Sequence, residues 1–176
     1  MDYSSTHKRI VDACLKGDRH ALFELYRLYS KAMYNVCLRM TNSVEDAEDL
    51  LQNSFVDVFS KMHSFRRESS IGAWIKRIVV NNCINHLKKK RIKTDELIDN
   101  YHDAMVVEQG GCGELALTVP MVKKALVQLP EGYRVVFSLY AIEGYDHEEI
   151  GQILGISTST SKSQYSRAKQ RLRELI

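Results

Sequence analysis

Proline is almost missing from this chain, with 2 in 176 residues, and glycine is sparse at 9. So few breakers exclude proline-rich and collagen-like architectures and suit long helices joined by a few tight turns. No apolar run approaches the ~20 residues that a membrane-spanning helix needs. The opening stretch, MDYSSTHKRIVDACLKGD, scatters charge where a secretory leader would carry an apolar core. A cytoplasmic location without membrane insertion is the expectation. The 4 cysteines, Cys14, Cys37, Cys83 and Cys112, stand far apart with no short paired spacing. That excludes a zinc knuckle or a recognisable disulfide framework and predicts reduced, packing thiols. There is no histidine-carboxylate constellation, nucleophile motif or phosphate loop, so no catalytic residue, metal ligand or cofactor is assigned.

What the chain does have is charge, unevenly laid out. Residues 1–92 hold 16 Lys and Arg against 10 Asp and Glu, residues 93–117 hold 1 against 6, and residues 118–176 hold 8 against 6. Two basic bodies thus flank an acidic strap. A basic body suits a nucleic-acid partner, and the strap would be repelled by that same polyanion. The organisation expected is an all-α chain of two small helical domains, 1–92 and 118–176, joined by a flexible acidic linker over 93–117.

Helical periodicity fills both domains. A short helix over residues 6–16 ends at Gly17, and Asp18 can cap a longer one to about Met40 with Leu22, Leu25, Tyr29, Met33, Val36 and Met40 as its stripe. A third, from about Val44 to Met62, is expected to bury Val44, Ala47, Leu51, Phe55, Val58 and Met62. Its outward half holds Glu45, Asp46, Glu48, Asp49, Gln52 and Asn53. Three readings of that acidic cluster stand side by side: a solvated, dipole-compensating helix start, a metal site without histidine, or a docking surface for a basic protein.

The polar loop HSFRRESSIGAW follows, and Ser69 or Ser70 can cap a fourth helix running to about Arg91. Phe65 and Trp74 lie among Arg66, Arg67, Lys76 and Arg77, the mixture with which single-stranded nucleic acid is held by stacking and phosphate neutralisation. Asn81, Asn82 and Asn85 add amides able to read base edges. The competing reading makes Trp74 a core anchor and the charges a solvated face. From Lys93 the periodicity fades through Gly110, Gly111, Cys112 and Gly113. Thr118 then caps a helix that Leu129 and Pro130 end, and residues 131–143 form another, packing Val135, Val136, Leu139 and Ile142 up to Gly144.

The last thirty or so residues have helix-turn-helix grammar. Asp146 can cap a helix while Glu149 reaches back, Gly155 supplies a left-handed stop, and Ser157 caps the next helix. In that helix Tyr165, Ala168, Leu172 and Leu175 make one inward stripe, and Lys162, Arg167, Lys169, Arg171 and Arg173 the other face. Small hydroxyl residues in its first turn permit close approach to a polyanion. An ordinary basic helical hairpin would read the same way from spacing alone.

Two patterns coincide. The segment DAEDLLQNSFVDVFSKMHSFRRESSIGAWIKRIVVNNCINHLKKKR resembles region two of extracytoplasmic-function sigma factors of the sigma-70 family, and LPEGYRVVFSLYAIEGYDHEEIGQILGISTSTSKSQYSRAKQRLRE resembles their region four. The resemblance implies a transcription initiation subunit that binds bacterial core RNA polymerase and directs it to a class of promoters, by binding and not as an enzyme. It implies that Asp46, Glu48, Asp49, Gln52 and Asn53 dock on the clamp coiled coil of the polymerase's largest subunit, with region four near the flap of the second-largest. Phe65, Arg66, Trp74, Arg77, Asn81, Asn82 and Asn85 would hold the opened minus-ten element, with Lys88, Lys89, Lys90 and Arg91 on duplex phosphates. Thr158, Ser159, Thr160, Lys162, Ser163, Gln164 and Arg167 would enter the major groove at the minus-thirty-five element. The acidic linker would thread the basic RNA-exit path, and Asp95, Glu96, Asp99 and Asp103 would aid assembly there. An anti-sigma factor is an implied partner, and with no long extension after residue 176 any regulatory domain would come from another chain.

Some positions depart from the family's pattern. Ser161 stands where an apolar residue is common and falls on the inward stripe, leaving a hydroxyl to be satisfied; Ser159, Gln164 and Asn85 are also unusual. Two other functions remain in view: a stand-alone helix-turn-helix regulator, and a metal nuclease using Asp46, Glu48 and Asp49.

Overall fold

The computed structural model describes residues 3–95 and 119–176, with side chains over 7–90 and 120–176, and every regular element in them is helical. Most of the acidic linker, the cap expected at Thr118, Cys112 and the side chain of Arg91 lie outside the described residues. The chain divides into two compact units, Met1–His86 and Leu87–Ile176.

The first unit is built from α1 (Tyr3–Leu15), α2 (Arg19–Thr41), α3 (Val44–Ser60) and α4 (Ile71–Asp95), the last of which runs on into the second unit. Local chemistry sets the boundaries. Gly17 turns at φ 79, and Asp18 accepts the amides of His20 and Ala21 to start α2. Asn42 adopts the left-handed conformation that stops it, and Ser43 caps α3 through the Asp46 amide. The inward faces meet in a core of Leu25, Met33 and Met40 from α2, Ala47, Leu51, Phe55 and Val58 from α3, and Ile75, Val79, Val80 and Ile84 from α4. Burying each of these side chains except that of Ala47 stabilises the unit by ~1.5–3 kcal/mol, before chain entropy is set against it. Cys37 and Cys83 are reduced and fully buried there, their thiols hydrogen-bonded to one another, so α2 and α4 touch at that level. Gly72 lets α4 begin close to α2, since a Cβ there would lie 2.8 Å from the Tyr29 ring and the ring would have to shift.

One expectation fails in this unit. Val44 is 58% exposed. It is the first residue after the cap, with no earlier turn beneath it, and the buried face of α3 takes Leu50 and Ser54 as well as the expected residues. Met62 is buried, but from a 3-10 turn over Met62–Ser64 that follows α3.

The second unit contains α5 (Val119–Val127), α6 (Glu131–Phe137), α7 (His147–Leu154) and α8 (Thr158–Leu175). Its core gathers Ala125 and Leu126 from α5 and Leu129 just beyond it with Ala168 and Leu172 from α8. Val135, Val136, Leu139 and Ile150 are buried in the same unit. Arg134 is also buried, donating from Nη1 to the carbonyl of Leu129 at 2.9 Å, where α5 has run out of amide partners. After α6 the chain does not continue as an α-helix to Glu143. Ser138–Ile142 forms a wider π turn, closed by the Glu143 amide on the Ser138 carbonyl at 3.0 Å. The extra residue per turn rotates Ile142 off the buried stripe, which corrects its expected packing: it is 44% exposed.

Candidate nucleic-acid interface

In the first unit the loop between the 3-10 turn and α4 is held at both ends. Phe65 donates its amide to Met62 at 3.1 Å, and the Ser64 hydroxyl donates to Lys61 at 2.7 Å. At the far end Ser70, not Ser69, caps α4, its Oγ accepting the Ala73 amide at 3.2 Å. Phe65 and Trp74 come together across the loop, ring centroids 5.3 Å apart and tilted by 49°, and both are half-buried. Arg66 is exposed beside them, and Arg77, Asn81, Asn85, Lys88 and Lys89 project from successive turns of α4, all exposed. A pair of aromatic rings beside cations and amides is what stacking on unpaired bases requires. Asn82 sits differently: its side-chain nitrogen donates to Asp57 at 2.9 Å and to Ser54 at 3.2 Å, tying α4 to α3.

The outward half of α3 presents Glu48, Asp49, Gln52 and Asn53, all exposed. Asp46 is turned toward α4, its Oδ1 3.5 Å from His86 Nε2 and only partly open to solvent. Sequence reading passed over Val56, which follows Gln52 by one helical turn and is 66% exposed, an apolar end to an otherwise polar face.

In the second unit the reading of α7 and α8 is met atom by atom. Asp146 accepts the amides of Glu148 and Glu149 at 2.8 Å, and the Glu149 carboxylate accepts the Asp146 amide at 2.9 Å. Gly155 turns at φ 74, and the amides of Gly155 and Ile156 both return to the Gly151 carbonyl. Ser157 caps α8 through the Thr160 amide, and its hydroxyl lies 2.8 Å from those of Ser159 and Thr160. Ser159, Lys162 and Ser163 are exposed, while Thr158, Thr160, Gln164 and Arg167 are half-buried. Gln164 lies against α6 beside Gly132.

Ser161 is 0% exposed, and its hydroxyl lies 2.9 Å from His147 Nδ1. The polar anomaly of the inward stripe is therefore answered by the first residue of α7. The His147 ring stacks on Tyr140 at 4.3 Å and 14°, and Tyr165 leans against both.

The family model described as Sigma-70 region 2 matches residues 25–92, and that described as Sigma-70, region 4 matches residues 121–172. The chain belongs to the sigma-70 family. Relatives place it among the extracytoplasmic-function sigma factors. ECF RNA polymerase sigma factor SigM of Mycobacterium tuberculosis is 26% identical over 180 residues, spanning 100% of this chain and 89% of its own. SigW of Bacillus subtilis is 27% identical, covering 95% of each. Among solved structures, the sigma factor RpoE of Bartonella quintana, in complex with the anti-sigma factor NepR, superposes with a TM-score of 0.56 at 26% identity over 86% of this chain and 94% of its own. CnrH, solved with the cytosolic domain of CnrY, shares the fold at 20% identity and a TM-score of 0.56.

Within region four of this sigma factor, His147 has a consequence for stability. Burial, and next the nearby Lys162 charge, hold its imidazole below the ordinary value of 6.5, with Asp146 acting the other way. The folded state thus binds a proton less readily than the unfolded chain, so stability is lost as pH falls through 6.5 toward the depressed folded value. The melting midpoint of the C-terminal transition should fall over that window, and His147→Gln should flatten the dependence. An equal slope in both proteins would contradict the assignment.

Proposed function

We propose that this sigma factor joins bacterial core RNA polymerase and directs it to specific promoters, region two opening the minus-ten element and region four reading the minus-thirty-five element. Its work is binding, with no bond made or broken. The observation that carries the reading is the pairing, in one chain, of an exposed acidic α3 face and an adjoining aromatic and basic loop with a capped helix-turn-helix. Glu48, Asp49, Gln52 and Asn53 dock on the clamp coiled coil of the largest subunit, with Val56 extending that face; Asp46 acts behind them through His86. Phe65, Arg66, Trp74, Arg77, Asn81 and Asn85 hold the opened strand, while Asn82 braces α4, and Lys88, Lys89, Lys90 and Arg91 meet duplex phosphates. Extruding a base costs a few kcal/mol of stacking, which a ring pair such as Phe65 and Trp74 can offset. The first turns of α8 lie in the major groove, where Ser159, Lys162 and Ser163 are the most open side chains. Region four also meets the polymerase flap, the acidic linker over 93–117 aids assembly, and an anti-sigma factor holds the free protein inactive in the cytoplasm.

Mixing the chain with core polymerase and genomic DNA, then sequencing the transcripts begun, tests this directly. Selective starts from a shared promoter class are expected, and none would sink the reading. Duplex promoter bound as tightly without polymerase would instead favour a stand-alone regulator. Glu48→Lys with Asp49→Lys should weaken holoenzyme assembly at least about tenfold, because like charges set against one another across an interface cost several kcal/mol. Unchanged affinity in a titration of labelled protein against core polymerase would remove the docking assignment.

A further inference from the structure

Two residues in the first unit break local rules, and they break them against each other. Arg67 holds φ 61, in the left-handed region where a residue with a Cβ is strained unless its surroundings impose the turn. Asp12 lies near the C-terminus of α1, where the helix dipole disfavours a negative charge. The Arg67 guanidinium donates from Nη2 to Asp12 Oδ1, closing a link across 55 positions of sequence. That hydrogen bond is the main reason the Asp12 carboxyl sits below its usual range, burial working against it and Lys8 and Lys16 with it. On α1, Lys8 and Val11 share with Phe65, Arg67 and Ile71 one open groove of about 940 Å³, so α1 is the wall against which the loop is set.

We propose that Asp12 is a positioning residue for the strand-holding loop: by clamping Arg67 it keeps the backbone in the left-handed turn that presents Phe65 and Arg66. The proposal rests on the role given to that loop above. Exposed ion pairs add little to global stability, so the effect lies in the loop's conformation and not in the fold. Asp12 also neutralises a place where Lys8, Lys16 and Arg67 would otherwise face one another. Without it Arg67 is free to seek phosphates at any sequence, which lowers discrimination rather than affinity.

The test uses the full chain in holoenzyme with a promoter recovered by transcript sequencing, and a matched template with a scrambled minus-ten element. Opening is read by the fluorescence of a base analogue in that element. Asp12→Asn is expected to lower the ratio of opening between the two templates about fivefold, the upper reach of an exposed pair. Core-polymerase affinity and the melting midpoint should stay as in the unaltered chain. Asp12→Arg combined with Arg67→Asp should restore the ratio, since aspartate tolerates a left-handed backbone better than most residues. An Asn variant with undiminished discrimination overturns the proposal. So does a loss that the exchanged pair fails to recover, or one matched by a fall in melting midpoint, which would make the pair structural. If the unaltered chain opens no promoter, it is the proposed function that has failed.

Discussion

Gly151→Val is expected to destabilise the helix-turn-helix strongly and weaken recognition by region four. An ideal Cβ at position 151 would stand 2.9 Å from the carbonyl oxygen of Ile156 and 3.7 Å from the Thr158 amide, both backbone atoms of the turn. The turn cannot retreat freely, because the Gly151 carbonyl accepts the Gly155 and Ile156 amides at 2.8 and 3.1 Å. A single methyl asks the turn to give by a few tenths of an ångström, whereas a branched side chain has no such route. Overpacking of this kind costs ~1–3 kcal/mol, and a backbone obstacle puts valine at the upper end. A region of this size has only ~3–9 kcal/mol to lose. Denaturant unfolding followed by circular dichroism should show the C-terminal transition displaced, with Gly151→Ala intermediate. Promoter duplex binding should weaken in parallel in the valine variant. An unmoved transition would mean that the turn is looser than its hydrogen bonds imply.

Arg134→Ala is expected to destabilise the same unit by ~2–4 kcal/mol, combining a charge-assisted hydrogen bond lost at a buried carbonyl with the space its side chain leaves. Burial draws the guanidinium below the ordinary arginine value, and Glu131 acts in the opposite sense. Its contact with the Leu129 carbonyl makes it the C-terminal cap of α5, a cation placed where that helix's dipole is negative. Arg134→Lys should recover only part of the loss, since an ammonium cannot reproduce the planar fork. The control is Arg171→Ala. Arg171 is exposed and paired with Glu174 at 2.6 Å, and its removal should shift the urea midpoint little. Equal effects of the two substitutions would refute the capping role.

What could be read from the chain alone was whatever depends on near neighbours. The caps at Asp18, Asp146 and Ser157 and the stop at Gly155 need only residues two to four positions apart, and each has its expected hydrogen bonds. Ser161 was visible as a misfit on an apolar stripe, but not its partner, because His147 reaches it from another helix. Tertiary neighbours likewise draw Asn82 toward Ser54 and Asp57, and Asp46 toward His86, where periodicity left both outward. Arg134 escaped notice because a lone cation in an apolar run reads as solvated until a carbonyl is found beside it. Arg67 gave no warning either, since a left-handed turn without glycine or asparagine has no compositional sign.

The widened turn at Ser138–Ile142 separates chain length from helix phase. In a regular α-helix, adding or removing one residue swings everything beyond it by about 100° around the axis. A coil that already accommodates a surplus residue can take up or release such a change locally. The stretch leading to Asp146 is therefore a place where one residue more or less can be absorbed while the caps at Asp146 and Ser157 keep α7 and α8 as they are.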